Sequence, residues 1–199
     1  MFTKTGGSHT KKLEPADGRT FEFGETKLRF SEPVFHRSEK SELGWVVMVI
    51  IEVTGEKVVF ASDIQGPMYT PTLAKILAEG LPLVIVGGPP TYLAGFRVKY
   101  EHIETGMQNL KRLVENLPTP ILGHHILRDE KWHILSQPIF DAATNAGHKV
   151  LTAAEYLGEE NIFLEFRRRQ LFETEPPSSD FKKWMKLPLQ KRKLIKPPS

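Results

Sequence analysis

Histidine and aspartate residues stand where three apolar segments of the 199-residue chain end. They are His36, Asp63 and the pair His124 and His125. Imidazole nitrogens and carboxylate oxygens are natural ligands of zinc, manganese and iron. A bound metal would also compensate an aspartate at the end of a buried strand, which is otherwise costly. The pattern therefore predicts a divalent-metal site.

Each of these residues also fits a purely structural role. His36 is typical of a surface loop, Asp63 of a turn or a helix cap, and the histidine pair of a hydrogen-bonded group beside Asp129. Their common position, at the ends of strands in one predicted sheet, favours the metal interpretation.

A second candidate feature is the glycine- and proline-rich loop at residues 87–93. The backbone can approach a ligand closely at Gly87 and Gly88, and Thr91 and Tyr92 offer hydroxyl groups to a substrate. The loop lacks the Gly-x-x-x-x-Gly-Lys spacing of a phosphate loop. A structural turn that packs its side chains on the core is an equally good interpretation.

The first third of the chain predicts an antiparallel β layer. Residues 20–23 and 27–30 alternate apolar and polar side chains around Gly24, as in a hairpin. Residues 43–53 predict one long buried strand, and residues 57–61 predict its return strand.

After Asp63, apolar strands alternate with helical segments. Strands are predicted at residues 81–86, 119–122 and 149–151, and helices at residues 71–79, 98–117 and 134–146. This alternation is typical of parallel crossover units, so the predicted fold class is mixed α/β. Ligands of open α/β sheets bind at the carboxyl ends of the strands, where the candidate metal residues lie.

The formal net charge of +3 is distributed unevenly along the chain. Residues 165–199 contain 10 Lys/Arg and 4 Asp/Glu, a net +6, whereas residues 1–164 contain 17 and 20, a net −3. The tail predicts a helix over residues 163–173 and a further turn after it. Its basic residues and Trp184 would suit nucleic acid. Ordinary solvated helix faces are the favoured interpretation.

Composition excludes several classes of protein. The chain has no cysteine, so disulfide scaffolds, cysteine nucleophiles and cysteine-type zinc sites are ruled out. Its longest apolar run, residues 45–53, is shorter than the ~20 residues that cross a membrane, and no membrane partner is expected. No charged-then-apolar leader opens the chain, which predicts a cytoplasmic location.

Three sequence strings carry a family resemblance: ASDIQGP at residues 61–67, GGPPTYL at 87–93 and HHILRD at 124–129. Together they resemble the latter part of the metallo-β-lactamase superfamily, and within it a largely uncharacterised, mainly archaeal family of predicted metallo-hydrolases. Gly123 stands where that family has an aspartate. The resemblance extends from Asp17 to Pro198 and implies the C-terminal part of an αββα sandwich.

The resemblance also implies a role for each candidate residue. His36 matches the superfamily's third metal motif, Asp63 matches the fourth, whose carboxylate bridges two metals, and His124 or His125 matches the fifth. His124 is preferred because it leaves its strand first. The implied chemistry is metal-assisted hydrolysis with Asp63 and His124 as catalytic residues, and with Asp129 available to orient an imidazole.

The superfamily's main metal motif, His-x-His-x-Asp-His, is absent from the sequence, in which His9 is the only histidine before His36. The chain is therefore expected to be the C-terminal part of a longer protein, or a product without the catalytic half. Weak zinc binding without full activity is expected. The predicted organisation is a loose segment over residues 1–16, a partial metallo-β-lactamase-like domain over 17–164 and a basic helical extension over 165–199.

The predicted function is thus a metal-dependent hydrolase whose small-molecule or phosphodiester substrate stays open. The alternative is a non-catalytic module that binds RNA through the basic tail. The predicted protein partner is a separate chain that supplies the missing half, or a second copy of this chain.

Overall fold

The structure, a computed structural model, describes residues 12–39, 41–80 and 82–198. The chain divides into two compact units, the first ending at Asn161 and the second beginning at Ile162. The first unit contains the sheet and all the candidate metal residues. Most of the segment predicted to be loose lies outside the described residues.

A seven-stranded mixed sheet forms the first unit, with the strand order β1-β2-β5-β6-β7-β8-β9. Strands β1, β2, β5 and β6 are antiparallel neighbours, whereas β6, β7, β8 and β9 are parallel. Strands β3 and β4 form a separate antiparallel pair. The strand bounds are β1 Thr20–Phe23, β2 Thr26–Phe30, β3 Val34–Phe35, β4 Trp45–Val46, β5 Val49–Val53, β6 Glu56–Ala61, β7 Leu83–Gly87, β8 Thr119–Gly123 and β9 Leu151–Thr152.

Helices connect the parallel strands, as the alternating pattern predicts. The helix bounds are α1 Thr70–Ala78, α2 Tyr100–Asn116, α3 Trp132–Leu135, α4 Gln137–Asn145, α5 Ala153–Tyr156, α6 Arg168–Thr174, α7 Ser179–Met185 and α8 Leu189–Arg192. The mixed α/β class is therefore confirmed. None of the helices in the described residues has the length and hydropathy needed to cross a membrane.

The single long strand predicted at residues 43–53 is wrong, because the segment divides into β4 and β5. The N–H of Met48 donates to the side-chain oxygen of Ser31 at 2.9 Å instead of to its backbone carbonyl. The N–H of Ser31 still donates to the carbonyl of Met48 at 2.9 Å, so the ladder between β2 and β5 closes with one backbone bond and one side-chain bond. The chain then leaves the large sheet and β4 pairs with β3.

Two predicted helices also differ from the structure. The helix expected at residues 134–146 is two helices that meet at Ser136. Pro138 lies in the first turn of α4, where its missing N–H is harmless, whereas a continuous helix would place it in the interior. The helix expected at residues 163–173 begins only at Arg168.

The hydrophobic core of the first unit lies on one face of the sheet. Arg29, which lies on that face, forms a bidentate ion pair with Glu79, the residue after α1. Its two terminal nitrogens donate to the two carboxylate oxygens at 2.9 and 2.5 Å. Side chains from the strands and from α1 and α2 fill the space between the sheet and the helices. The buried members are Ile50, Val59, Ala61, Val84, Val86 and Leu122 on the strands, and Leu73, Ile76, Leu110, Leu113 and Val114 on the helices.

Truncation of Val84 should destabilise the protein more than truncation of Val58, although both are valines on central strands. Val84 is completely buried on the helix-covered face, whereas Val58 is half-buried on the opposite face. We expect Val84→Ala to lower the free energy of unfolding by about 2 kcal/mol, and Val58→Ala by less than half of that. Urea unfolding followed by circular dichroism measures both. Equal losses would contradict the assignment of the core to one face.

Candidate metal centre

Parallel pairing brings the candidate residues to one edge of the sheet. Strands β6, β7 and β8 are adjacent and parallel, so their carboxyl ends lie side by side. Asp63 lies in the 3₁₀ turn Ser62–Ile64 that follows β6, and His124 and His125 follow β8 directly. Strand β7 therefore separates the aspartate from the histidines.

Gly87, the last residue of β7, allows the two sides to approach each other. A Cβ atom at Gly87 would lie only 1.9 Å from the carbonyl oxygen of Ser62 and 3.2 Å from the ring of His125. The turn that carries Asp63 therefore passes over a position at which only glycine fits. A Cβ at Gly123 would lie 3.3 Å from the Cα of Gly87, so the same crowding extends to the end of β8.

The side chains of Asp63, His124 and His125 converge on a small volume. The Oδ1 atom of Asp63 lies 3.6 Å from Nε2 of His124 and 3.7 Å from Nε2 of His125. The two imidazole rings are tilted against each other, with centroids 4.0 Å apart. One ligand atom from each residue lies within 4.8 Å of the other two.

These three residues fit a divalent metal ion. Ligand atoms that lie 2.0–2.2 Å from a tetrahedral zinc ion are roughly 3.3–3.6 Å apart, close to the distances from Asp63. Both ring nitrogens of His125 are buried, and neither has a hydrogen-bond partner in the described part of the chain. Buried polar atoms are almost always paired, so these nitrogens can each accept or donate one further bond, to water or to an ion.

Burial also sets the charge of His125. It lowers the pKa of the imidazole to about 4, with the neighbouring positive charge of His124 and then Arg128 acting in the same direction. The negative charge of Asp63 opposes the shift but does not outweigh it. His125 is therefore neutral at pH 7, which is the form that binds a metal.

His36 lies near this cluster but outside its most compact part. It follows β3, and its ring centroid is 6.4 Å from that of His125. Its Nδ1 atom is buried without a partner in the described residues, and burial lowers its pKa. The structure thus groups Asp63, His124 and His125 closely, with His36 as a neighbour.

Gln65 and Arg37 are two residues that the sequence analysis did not single out. Gln65 is buried and has a left-handed backbone with φ of 54°, which is unfavourable for a residue with a side chain. Its Oε1 accepts a hydrogen bond from Nε of Arg37 at 2.8 Å. This bond connects the residue after His36 to the turn of Asp63. In the sequence, only the glycine and proline that follow Gln65 indicate a special turn.

The hydroxyl groups of the loop at residues 87–93 both contact protein groups. Thr91 donates to Asp129 at 2.6 Å, and the hydroxyl oxygen of Tyr92 accepts from Arg128 at 3.3 Å. Asp129 also accepts from the N–H of Lys131, so both of its oxygens bind groups other than imidazole. A Cβ at Gly88 would lie 2.4 Å from Cβ of Ile126, which makes this glycine a packing requirement.

An open groove of about 810 Å³ lies beside Asp63. Its lining includes the acidic Asp17 and Glu32 and the exposed indole of Trp45, which stacks on Phe35 with ring centroids 4.1 Å apart. The groove gives solvent and small molecules access to the aspartate side of the cluster.

Some basic and aromatic side chains of the second unit make local contacts. Arg168 pairs with Glu165, and Lys183 pairs with Asp180 at 3.0 Å. The indole N–H of Trp184 donates to the carbonyl of Ile195. The guanidinium carbon of Arg192 lies 5.8 Å from the centroid of the Trp184 ring, so the predicted stacking surface already has a neighbouring cation.

Fold and site together define a class: a mixed α/β protein with an aspartate–histidine cluster at the carboxyl edge of its parallel strands. In sequence, the chain is similar to archaeal proteins named UPF0282. The chain and the UPF0282 protein from Methanopyrus kandleri are 42% identical over 158 aligned residues. These residues are 79% of this chain and 53% of that protein. The chain is 39% identical over 181 residues to the one from Aeropyrum pernix, 88% of this chain and 62% of that protein.

The UPF0282 protein from Saccharolobus solfataricus is 39% identical over 173 residues, 86% of this chain and 56% of that protein. The chain thus matches somewhat more than half the length of these relatives. No family model matches the chain, and no solved structure matches it significantly.

His125 should make the metal-free protein less stable in acid. Its folded-state pKa of about 4 lies below the ordinary value of 6.5, so the unfolded state takes up the proton first. Stability is therefore present above pH 6.5 and falls as the pH decreases toward 4, by roughly 3 kcal/mol in total.

Chemical denaturation in the presence of a chelator, at pH 7 and at pH 4.5, measures this loss. His125→Gln removes the titrating group and should lose roughly 2–3 kcal/mol less than the wild type over that interval. If both proteins lose the same stability, His125 is not held neutral in the folded state.

Proposed function

We propose that the chain carries part of the metal site of a hydrolase of the metallo-β-lactamase superfamily. The observation that carries this proposal is the convergence of Asp63, His124 and His125, with both nitrogens of His125 buried and unpaired in the described residues. Zinc is the first choice of metal, and manganese or iron suits the same ligands.

Each residue contributes a different property to the cluster. Asp63 supplies the negative charge, and its half-exposed carboxylate can share its oxygens between ions or water molecules. His124 is also half-exposed and leaves β8 first, which supports its role as the ligand on the solvent side. The lowered pKa of His125 keeps it ready to bind without first losing a proton.

A bound divalent metal supplies hydrolytic chemistry, because it lowers the pKa of its water and polarises a carbonyl or phosphoryl group. Asp63, His124 and His125 would hold the metal at the edge of the sheet, next to the groove. The groove beside Asp63 offers a substrate access from one side, and its acidic lining disfavours highly anionic substrates there. The proposed substrate is an ester, a lactone, a thioester or a phosphodiester.

The finer fold proposal is the C-terminal part of a metallo-β-lactamase-like αββα sandwich. It is supported by antiparallel strands that lead into parallel crossover units, with the candidate ligands at the strand ends. The matched part of the longer relatives is 53–62% of their length, which supports a whole protein with further elements. Full hydrolase activity is proposed for such a whole protein.

RNA binding through the second unit stays a prediction. The net positive charge of that unit supports it, whereas the local pairing of Arg168, Lys183 and Trp184 favours a structural role for these side chains. The proposal therefore rests on the metal centre.

The purified full chain should bind zinc, and each cluster residue should be needed for it. We expect Asp63→Asn, His124→Gln and His125→Gln each to weaken zinc binding by at least the roughly 10–100-fold that loss of a residue supporting a ligand costs. Competition with a chromophoric chelator, at fixed pH, measures the affinity. His36→Gln should have a smaller effect, because its ring lies farther away.

Matched controls carry the same chemical changes elsewhere. Asp141→Asn on α4 and His133→Gln on α3 alter exposed residues outside the cluster and should bind zinc like the wild type. The metal proposal fails if the wild type has no zinc affinity. It also fails if the cluster variants bind as tightly as these two controls.

A further inference from the structure

Arg37 carries a positive charge beside the candidate metal centre. It follows His36 in the chain and is half-buried, and burial lowers the pKa of its guanidinium. A guanidinium in this position has lost part of its contact with water, which is unfavourable unless another group compensates its charge. The contacts of Arg37 therefore indicate whether the protein itself supplies that group.

Both groups that hold Arg37 are uncharged. Its Nε donates to Oε1 of Gln65 at 2.8 Å, and its Nη1 makes a long contact of 3.5 Å with the backbone carbonyl of Arg97. Among the described residues, no carboxylate forms an ion pair with Arg37. A guanidinium has several N–H donors in a rigid plane, so most of them remain available to a ligand.

Gln65 orients the guanidinium without neutralising it. The glutamine is 2% exposed, and its backbone is left-handed with φ of 54°. A glutamate at this position would form an ion pair with Arg37, whereas the neutral amide fixes only the direction of the guanidinium. A buried side chain with an unfavourable backbone conformation thus holds one arginine whose charge stays uncompensated in the described part of the chain.

This hydrogen bond places the charge between two segments that carry candidate ligands. Arg37 comes directly after His36, and Gln65 is two residues after Asp63. Burial is the largest cause of the lowered pKa of His36, the charge of Asp63 opposes it, and the charge of Arg37 adds to it. The guanidinium therefore acts electrostatically on the site.

A second arginine lies on the histidine side of the same site. Nη1 of Arg128 donates to the hydroxyl oxygen of Tyr92 at 3.3 Å. Burial and His124 lower the pKa of His125, and the charge of Arg128 lowers it further. The phenol of Tyr92 also acts on the pKa of Arg37, in the direction opposite to burial. Both guanidiniums thus contribute positive potential near the cluster.

The open groove beside Asp63 has the opposite electrostatic character. The described residues that line it include Asp17 and Glu32 but not Arg37. A substrate with one negative charge can therefore place its anionic group at Arg37 and an uncharged part in the groove. Among the proposed substrate classes, the phosphodiester alone has a negative charge on the group that is attacked before the reaction begins.

We propose that Arg37 binds the phosphoryl oxygens of a phosphodiester at the metal centre and selects this substrate class over neutral esters, lactones and thioesters. The inference rests on the proposed function for the reacting centre, whereas the anion binding depends on Arg37 itself. A guanidinium can donate two parallel N–H bonds to two oxygens of a phosphate, which an ammonium group cannot do. A neutral ester would leave the charge of Arg37 without a partner.

The first experiment measures the binding of an unreactive probe to the zinc-loaded full chain. The probe is dimethyl phosphate, and trimethyl phosphate is its uncharged counterpart. A titration followed by nuclear magnetic resonance should detect binding of dimethyl phosphate and none of trimethyl phosphate. Arg37→Met should weaken the binding of dimethyl phosphate by roughly tenfold or more, because it removes charge-assisted hydrogen bonds. Arg37→Lys should restore part of the affinity, because it retains the charge without the planar donors.

Arg97→Met is the matched control. The guanidinium of Arg97 lies over the ring of Phe96, 5.4 Å from its centroid, and the residue is exposed. The variant removes the same charge and keeps the backbone carbonyl that Arg37 contacts, so it should bind dimethyl phosphate like the wild type. Equal weakening in both methionine variants would assign the effect to net charge and overturn the proposal.

Two probes test the class of substrate. Equal binding of trimethyl phosphate would show that the negative charge is not recognised. Tighter binding of acetate than of dimethyl phosphate would identify a carboxylate as the ligand. Either result overturns the assignment of a phosphodiester.

A second measurement uses the wild-type chain and therefore does not depend on the folding of a variant. Phenylglyoxal modifies accessible guanidinium groups, and mass spectrometry identifies the modified arginines. Dimethyl phosphate should slow the modification of Arg37 and leave that of Arg97 unchanged, whereas trimethyl phosphate should protect neither. Modification of Arg37 at an unchanged rate would overturn the proposal. A complete lack of reaction at Arg37 would also count against it, because a ligand needs the same access.

Zinc affinity separates this inference from the proposed function. Arg37→Met should bind zinc at least as tightly as the wild type, because it removes a positive charge and no ligand atom. If it also binds dimethyl phosphate like the wild type, only the anion proposal fails.

The same titration of the zinc-free chain covers the case in which the wild type has no zinc affinity. Binding of dimethyl phosphate that Arg37→Met abolishes would then support the anion site although the metal proposal has failed. A lack of binding to the zinc-free wild type would then overturn both proposals.

Discussion

The close passage of the Ser62 carbonyl over Gly87 is the constraint on which the candidate site depends. Strand β7 lies between β6 and β8, and any side chain at its end would separate the aspartate from the histidines. With glycine at this position, the turn after β6 can bend across β7 and place Asp63 within 3.7 Å of both imidazoles. The parallel strands bring their carboxyl ends to one edge of the sheet. The missing side chain at Gly87 lets the turn that carries Asp63 come close to the histidines.

Burial of His125 affects both its charge and its hydrogen bonding. Packing against the end of β7 removes His125 from water and lowers its pKa to about 4. The same packing leaves two ring nitrogens without partners in the described residues, which is unfavourable for folding alone. Gln65 adds a strained backbone conformation in the turn beside Asp63. Unfavourable local features that gather around one point are typical of a functional site rather than of a region built for stability.

Much of this arrangement could be predicted from the sequence. Alternation and helical periodicity identified the hairpin, the crossover helices and the parallel strands, and the strand ends identified Asp63 and the histidines. The break at Met48 could not be predicted, because it depends on a serine side chain replacing a backbone acceptor seventeen residues away in the chain. The bond between Arg37 and Gln65 depends likewise on a tertiary contact without a local pattern. Periodicity also could not indicate which apolar face of the sheet the helices cover, since Val59 is buried and the adjacent Phe60 is exposed.

The contacts of Asp129 and Arg128 join the loop at residues 91–93 to the turn that follows the histidine pair. Thr91 and Tyr92 each hold one of these charged side chains. The loop and the turn are therefore joined by two side-chain hydrogen bonds outside the cluster itself. A substitution at Thr91 would reach the segment that follows the histidine pair through Asp129, although Thr91 contributes no ligand atom to the cluster.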